Sequence, residues 1–226
     1  MKRIVITILL SLIAVMGYSQ ETIKFLGIPV DGTPSNMTFK IRQKGFKQVG
    51  DHLEGVFNGK QVNVFVHDNN GKVDRVMVGY QTLYNKAGIK REFNALREQF
   101  ERNDKYLPVS SDPIPDDEDI AYEMTVHDKE YGCSYALSPF ELDADGKFSE
   151  YAMDLVARST AEVEELIAEG SVKEEDKQSR VTIRAITNAI LESTGSVWFT
   201  ILEAYGEYYI AIFYDNENNR PNGEDL

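Results

Sequence analysis

The sequence contains a single cysteine, Cys133, in 226 residues. No disulfide can therefore form within one chain, and the fold must be held by side-chain packing and hydrogen bonds. A chain of this length can bury about 70% of its unfolded surface, which is enough for a stable core without cross-links. The scarcity of cysteine thus excludes the class of small, disulfide-rich scaffolds.

Motifs that carry catalysis are also missing. The sequence has no glycine-rich phosphate loop, no G-x-S-x-G nucleophile elbow, no H-E-x-x-H zinc motif and no paired cysteines. Acidic residues are numerous, but the sequence does not single out the two carboxylates that a glycosidase needs. We therefore predict no catalytic residues, no cofactor-binding residues, no cofactor and no metal site, and we expect that the protein is not an enzyme.

Basic residues are few relative to acidic ones. The chain has 24 Lys and Arg against 37 Asp and Glu, a formal net charge of −13 at pH 7. Such a surface repels phosphate groups, which argues against binding to nucleic acid or to anionic lipid head groups. It is compatible with a cationic partner, and equally with a surface that is acidic for solubility. The composition leaves the partner, a protein or a small molecule, open.

The amino-terminal residues have the pattern of a secretory signal. A basic start precedes the uncharged apolar run 4–16, and small residues occupy the −3 and −1 positions of a cleavage site between Ser19 and Gln20. The run is shorter than the about 20 apolar residues of a membrane helix, which disfavours a retained anchor. We expect residues 1–19 to be removed and the mature chain to be periplasmic or extracellular, without a membrane span.

The predicted fold class is α+β, with antiparallel sheets and helices packed against them in two lobes. The N-terminal lobe, residues 20–106, is predicted in the order α-βββ-α. Thr33 and Pro34 mark the start of its first helix. Three strands with alternating apolar residues follow, separated by Asn-Gly turn sequences. A second helix should cover their apolar face, because its apolar residues recur at helical spacing: Ile89, Phe93, Leu96 and Phe100.

A composition shift separates the lobes. Residues 107–119 hold three prolines and a cluster of acids, which is typical of a linker. The C-terminal lobe, residues 120–214, is predicted in the order ββ-αα(α)-ββ. Its first hairpin is inferred from alternating apolar residues on either side of a turn: Ile120, Tyr122, Met124 and Val126, then Cys133, Tyr135 and Leu137.

Helices are predicted in the middle of the C-terminal lobe. Residues 148–157 are amphipathic, and capping-box patterns at Ser159 and Ser171 predict two further helix starts. In the last helix Ile183, Ile186 and Ile190 share one face. Residues 215–226 are polar and are predicted to form an exposed tail.

The apolar run 196–214 predicts the central hairpin of the fold. Aromatic and β-branched residues favour strands, and Tyr205-Gly206 fits a two-residue turn. This turn places Phe199 opposite Ile212 and Trp198 opposite Phe213. Both faces of the hairpin are apolar, so we expect both to be covered.

Cys133 and His127 are the obvious nucleophilic pair to test. Strand alternation places Cys133 on the apolar face and His127 on the other, so the sequence predicts an inert, buried cysteine. His52 and His67 have no second histidine at metal-ligand spacing, and we interpret both as surface residues.

Two acidic segments are weak candidates for cation binding. Residues 141–146 resemble the start of a calcium loop, but the first position is Glu141 and the twelfth is Ala152, where a bidentate glutamate is needed. A solvated turn before a helix fits them better. The tail offers oxygen ligands without a ligand periodicity: Asp215, Asn216, Glu217, Asn218 and Asn219.

Three segments together resemble a set of exported proteins from Bacteroidota-type bacteria. They are FLGIPVDGTPSNMTFKIRQKGF near the start, EDIAYEMTVHDKEYGCSYAL in the middle and YYIAIFYDNENNRPNGEDL at the end. The resemblance spans most of the mature chain and implies an exported protein of this architecture. It implies no catalytic residues, because the set has no assigned activity. At the level of fold alone, the first half resembles the helix-on-sheet modules of β-lactamase-inhibitor-like proteins and outer-membrane-assembly lipoproteins.

The function predicted from these observations is a non-catalytic binding or interaction module of the cell envelope, acting through an exposed sheet face or the acidic tail. One alternative is a hydrolase or transferase with a site built from scattered Asp, Glu and Tyr residues. A deep pocket with converging acids or histidines would favour it. The second alternative is a structural component of the envelope.

Overall fold

The structure, a computed structural model, describes residues 22–221. The predicted signal peptide, residues 1–19, lies outside the described residues, as do residues 222–226 of the predicted tail. The predicted α+β class is confirmed, since helices pack against antiparallel strands. None of the helices within residues 22–221 has both the length and the apolar character needed to cross a bilayer.

In the part of the chain that the structure describes, ten strands form two sheets, a two-stranded hairpin and an eight-stranded sheet. The hairpin consists of β1 (Lys24–Phe25) and β2 (Ile28–Pro29). The strands of the large sheet are β3 (Lys47–Val49), β4 (His52–Phe57), β5 (Lys60–Asn69), β6 (Lys72–Tyr80), β7 (Tyr106–Ser110), β8 (Gly132–Leu137), β9 (Gly195–Ala204) and β10 (Glu207–Asn216). Their spatial order is β3-β4-β5-β6-β10-β9-β8-β7.

Within residues 22–221, five α-helices lie between the strands. They are α1 (Pro34–Gln43), α2 (Lys86–Glu101), α3 (Ile120–Val126), α4 (Glu150–Ala168) and α5 (Lys177–Glu192). In the large sheet α1 contacts β5 and β6, α2 contacts β7 and β10, and α5 contacts β7 and β8. Helices α4 and α5 also pack against each other.

The N-terminal elements follow the prediction. The side chain of Thr33 caps α1, and Pro34 is its first residue. Positive φ angles at Asn58-Gly59 and Asn70-Gly71 close the β4–β5 and β5–β6 hairpins, as primed turns require. The predicted apolar residues of α2 are all buried: Ile89, Phe93, Leu96 and Phe100.

The predicted register of the central hairpin is also confirmed. Phe199 pairs with Ile212 and Trp198 pairs with Phe213 across β9 and β10. The turn residues Tyr205 and Gly206 have φ angles of 55° and 78°, which is the conformation of a type I′ turn.

Strand β10 joins the two halves of the chain. It pairs with β9 on one side and with β6 on the other, where Ile212 lies opposite Val78. The predicted lobes, residues 20–106 and 120–214, therefore contribute strands to one sheet. The predicted linker, residues 107–119, begins inside edge strand β7. Its residue Ile114 is buried.

The prediction of a strand at Ile120 is wrong, because residues 120–126 form helix α3. Asp119 caps this helix, since its carboxylate accepts a hydrogen bond from the backbone N–H of Tyr122. Ile120 is fully buried and Met124 packs against the core, whereas Tyr122 and Val126 are exposed. The same apolar residues thus fit a helix at i, i+4 spacing. The second predicted strand, with Cys133 and Tyr135, is confirmed as β8.

The predicted helix boundaries in residues 148–191 need correction. Ser159 does not cap a helix but lies buried inside α4, where the side chain of Asn188 donates to it. The cap of α4 is Ser149, whose hydroxyl accepts from the N–H of Ala152. The buried face of α5 consists of small residues, Val181, Ala185 and Ala189, and Ile183 is exposed.

The two faces of the large sheet differ, and we call them the covered face and the open face. The covered face carries the core, in which the following residues are buried: Val62, Val64, Val76, Val78, Val197, Phe199, Ile210, Ile212 and Tyr214. Helices α1 and α2 and the β1–β2 hairpin lie against it. The open face carries the alternate residues, among them Phe65, Met77, Trp198 and Phe213. On this face most of the residues of β10 are also buried, among them Ala211 and Phe213, whereas those of β9 are half-buried. The expectation that both faces of the central hairpin are covered is thus met for β10 and in part for β9.

Candidate ligand-binding cleft

A cleft of about 620 Å³ opens on the covered face. Three parts of the fold meet there: the β1–β2 hairpin, the C-terminal part of α2, and the ends of β7 and β8 that adjoin each other in the sheet. Residues from distant parts of the sequence, such as Leu26, Gln99 and Ser138, therefore line one cavity. Cavities of roughly 300–1,000 Å³ are typical of sites for small molecules.

The floor of the cleft is apolar and aromatic. Ile212 and Tyr214 of β10 contribute to it, together with Phe57 of β4 and Phe100 of α2. The ring centroid of Tyr214 lies 6.4 Å from that of Phe57, nearly at right angles. Complete burial raises the pKa of the Tyr214 hydroxyl well above its ordinary value. Because this hydroxyl stays protonated, the floor carries no charge.

The rim of the cleft is polar. Its side chains are Lys24, Asn58, Gln99, Asn103, Lys105, Ser138 and Glu141. The Asn58 amide donates to Gln99 Oε1 at 2.7 Å, and Lys105 Nζ lies 3.7 Å from Glu141 Oε1. The side chains of Lys105 and Glu141 are 58% and 50% exposed. Ligand pockets likewise combine apolar lining residues with polar groups, and in this cleft the polar groups form most of the rim.

Local sequence explains how these residues reach the cleft. Helix α2 ends at Glu101, and the backbone N–H of Tyr106 donates to the carbonyl of Asn103 at 3.0 Å. This turn brings Lys105 to the rim and Tyr106 to the wall. On the opposite wall, Leu26 and Gly27 have φ angles of 54° and 76°, a two-residue turn that folds β2 back onto β1.

The cleft lining has few of the acidic side chains that acid–base hydrolysis requires. Glu141 is the one acidic residue in its lining, and it is ion-paired with Lys105. Two converging carboxylates, as in glycosidases, are therefore not found in this lining. Within residues 22–221, no cluster of His, Cys, Asp and Glu has the arrangement needed to hold a metal ion.

The structure does not bring Cys133 and His127 together. Cys133 lies on the covered face with 2% exposure, and burial raises the pKa of its thiol to about 11. His127 follows α3 at the surface, where its Nδ1 lies 2.8 Å from Glu123 Oε2. The two residues have separate environments, as the sequence predicted for Cys133.

The other predicted sites are turns or surface residues. Asp143 accepts hydrogen bonds from the backbone N–H groups of Asp145 and Lys147, so the calcium-loop-like segment is a capped turn before α4. The ring of His52 lies between the carboxylates of Asp51 and Glu54. His67 is exposed on β5.

The start of the predicted polar tail is packed rather than exposed. Asp215 and Asn216 are buried, and the side chain of Asn216 donates to the carbonyl of Val30. The Asp215 carboxylate accepts hydrogen bonds from Arg75, Trp198 and Arg220. With its oxygens engaged by N–H donors, Asp215 does not act as a cation ligand in this arrangement.

The open face presents a row of large side chains across four strands. Phe65 pairs with Met77, Met77 with Phe213, and Phe213 with Trp198. The rings of Trp198 and Phe213 stack with centroids 3.9 Å apart, and the guanidinium of Arg75 lies 5.2 Å from the Phe213 centroid. The rings of Trp198 and Phe213 thus contact each other and Arg75, and Trp198 stays half-buried.

No protein-family model, curated protein or solved structure matches this chain. The cleft and the open face are therefore interpreted from their geometry alone.

Sequence reasoning missed the cleft residues. Lys24, Gln99 and Lys105 belong to no motif, and each lies in or beside a different element. The available signal was local: Leu26-Gly27 is a turn pair inside an apolar segment, and Asn103 follows an amphipathic helix. These signals indicate turns, but they do not indicate that the turns meet.

Proposed function

We propose that this protein is an exported, non-catalytic binding module of the cell envelope that holds a small molecule in the cleft on the covered face. The observation that carries the proposal is a cavity of about 620 Å³ with an apolar floor and a polar rim. Its volume lies in the range of ligand sites, and its lining combines apolar side chains with polar groups around the mouth.

Export is proposed from the amino-terminal sequence. The basic start, the apolar run 4–16 and the small residues before Gln20 support a cleaved signal. The resemblance to exported bacterial proteins supports the same compartment. The net charge of −13 supports a partner other than nucleic acid.

A binding role is preferred to catalysis because of the charges in the cleft. Glu141 is ion-paired, half-exposed and without a second acid in the lining. A hydrolase or transferase site needs a positioned nucleophile or base within reach of a substrate.

The cleft is preferred to the open face, although the sequence predicts binding through an exposed sheet face or the acidic tail. On the open face the charged groups already bind one another, since Arg75 and Arg220 both donate to Asp215. The Trp198 ring is stacked on Phe213, and its N–H donates to Asp215. The cleft, in contrast, is a cavity of about 620 Å³ that opens to the surface.

Isothermal titration calorimetry with three twelve-carbon amphiphiles tests the proposal: laurate, dodecyltrimethylammonium and dodecyl maltoside, each below its micelle concentration. We expect at least one of them to bind with one site per chain. The variant Leu137→Trp, which fills the cleft from its wall, should weaken that binding by at least about tenfold, since a buried steric block removes the apolar contact.

The matched control is Leu83→Trp, which adds the same ring at a half-exposed leucine outside the cleft lining. Circular dichroism and thermal unfolding verify that both variants fold. The proposal fails if none of the amphiphiles binds, or if Leu137→Trp binds as tightly as Leu83→Trp. A protein that folds but binds none of them would instead fit a structural envelope component.

A further inference from the structure

The acidic and basic side chains at the mouth of the cleft already have partners. Lys105 Nζ lies 3.7 Å from Glu141 Oε1, and Lys24 takes part in an interaction of its own. The side chains of Lys105 and Glu141 are both at least half exposed. An anion that approaches Lys105 therefore also meets Glu141, and a cation meets the same pair in reverse. The mouth thus gives an ionised ligand of either sign little net attraction.

The uncharged polar side chains at the mouth are mostly amides. Gln99 and Asn103 lie about one turn apart at the carboxyl end of α2, and both line the cleft. Each amide oxygen is engaged within the protein, since Gln99 Oε1 accepts from Asn58 at 2.7 Å and Asn103 Oδ1 accepts from the N–H of Lys105 at 3.2 Å. These bonds hold both amides and leave their nitrogens as donors at the mouth.

Hydrogen-bond acceptors lie in the same lining as these donors. The Ser138 hydroxyl accepts from the N–H of Phe140 at 3.3 Å, which uses one of its two lone pairs and leaves its O–H to donate. The carboxylate of Glu141 adds two acceptor oxygens. An ionised carboxylate only accepts hydrogen bonds and an ammonium only donates them, whereas a hydroxyl does both. The mixture of donors and acceptors therefore matches a ligand that carries several hydroxyl groups.

Half-buried apolar side chains line the cleft together with the amides. They are Leu26, Phe57 and Leu137, and each keeps part of its surface accessible. Burial raises the pKa of the Tyr106 hydroxyl above its ordinary value, so this half-buried ring of the lining stays uncharged. Contact of an apolar group with these side chains is favourable in proportion to the area removed from water. The ligand should therefore have an apolar part in addition to its hydroxyl groups.

We infer that the ligand of the cleft is a neutral glycoside, with its sugar hydroxyl groups bonded to the amides of Gln99 and Asn103 and its apolar group packed against Phe57 and Leu137. A sugar supplies several neighbouring hydroxyl groups without a charge, and the group attached to it supplies the apolar contact. This inference rests on the proposed function, because it names the class of molecule that the cleft takes.

The three amphiphiles also test this inference, since they share a chain length and differ in their head groups. Dodecyl maltoside should bind at least about tenfold more tightly than laurate and dodecyltrimethylammonium, because its hydroxyl groups add hydrogen bonds to the same apolar contact.

Gln99→Met keeps the length of the side chain and removes its amide. It should weaken binding of dodecyl maltoside by about fivefold, the effect of one neutral hydrogen bond, and leave binding of the two charged amphiphiles unchanged. The control is Gln178→Met, which makes the same change at an exposed glutamine of α5 outside the cleft lining. It should alter none of the three affinities.

The outcomes separate the inference from the proposed function. Equal binding of all three amphiphiles, or tightest binding of a charged one, would overturn the glycoside and leave the cleft standing, provided that Leu137→Trp abolishes the binding. Equal affinity of Gln99→Met and Gln178→Met for dodecyl maltoside would also overturn it, since the sugar would then not bond to the amide. Absence of any binding would overturn the proposed function and the inference with it.

Discussion

The carboxylate of Asp215 connects four parts of the chain. Arg75 donates to both of its oxygens, from Nε at 2.6 Å and from Nη2 at 3.0 Å, and the indole N–H of Trp198 donates at 2.7 Å. Arg220 donates to the same group from the segment after β10. The side chain of Asp215 is 1% exposed, so these donors replace the hydration that burial removes.

Asp215→Asn should destabilise the fold by about 3 kcal/mol, because Arg75 loses its anionic partner while it remains partly buried. The free energy of unfolding from urea titrations measures this effect. Fluorescence of Trp198, the only tryptophan, should also shift to longer wavelength in the folded variant as its hydrogen bond is lost. The exposed Asp117→Asn is the control and should change neither quantity. Equal stability of the two variants would contradict this account of Asp215.

We expect Glu118 to contribute to the dependence of stability on pH. Lys129 donates to its carboxylate, and the Tyr131 hydroxyl donates at 2.5 Å; these contacts hold the pKa of Glu118 below its ordinary value of 4.5. A carboxyl whose pKa is lower in the folded state stabilises the fold above its unfolded pKa. That contribution is lost as the pH falls through the lower, folded value.

Glu118→Gln should therefore make the free energy of unfolding less dependent on pH between about pH 5 and pH 3. Urea titrations at several pH values measure the slope. The exposed Glu207→Gln should keep the slope of the unmodified protein. An identical slope in Glu118→Gln would show that the contacts with Lys129 and Tyr131 do not persist in solution.

The central hairpin shows at the level of elements how closely a local pattern can specify structure. Its two strands, β9 and β10, pair over their whole length with the register set by the turn at Tyr205-Gly206. Tyr205 occupies a left-handed conformation with φ of 55° and is fully exposed. A tyrosine gains nothing from packing there and is less suited to that conformation than asparagine.

Tyr205→Asn should stabilise the protein by about 0.5 kcal/mol, because asparagine is favoured at the first position of a type I′ turn. Gly206→Ala should do the opposite, by about 1 kcal/mol, because its φ of 78° is strained for a residue with a side chain. Chemical denaturation of both variants measures whether the free energy of unfolding rises or falls. Destabilisation by Tyr205→Asn would contradict the assigned turn.

Elements with their own turns and caps could be predicted from the sequence, and elements defined by context could not. Strands β4 to β6, helix α2 and the central hairpin each carry their period and their turn residues locally. The seven residues of helix α3 fit both an alternating and a helical pattern, and the cap at Asp119 decides between them. The burial of Asp215 depends on Arg75, which is far away in the sequence, so composition alone predicted an exposed tail.

At the scale of the whole molecule, the position of the cleft follows from the strand order. Two antiparallel runs of strands, β3–β6 and β7–β10, meet where β10 pairs with β6, and α2 connects them across the covered face. This order places the end of α2, the β1–β2 turn and the end of β8 around one cavity. Because neither the pairing of β6 with β10 nor this meeting of turns has a local signal, the sequence could predict the fold class but not the site.

The most direct test of the binding cleft is a titration of the isotope-labelled protein with dodecyl maltoside, followed in two-dimensional proton–nitrogen NMR spectra. The amide signals that shift should be those of the cleft lining, including Leu26, Gln99, Lys105 and Ser138. The indole signal of Trp198 on the open face should stay in place. Shifts confined to the open face, or no shifts at all, would contradict the account.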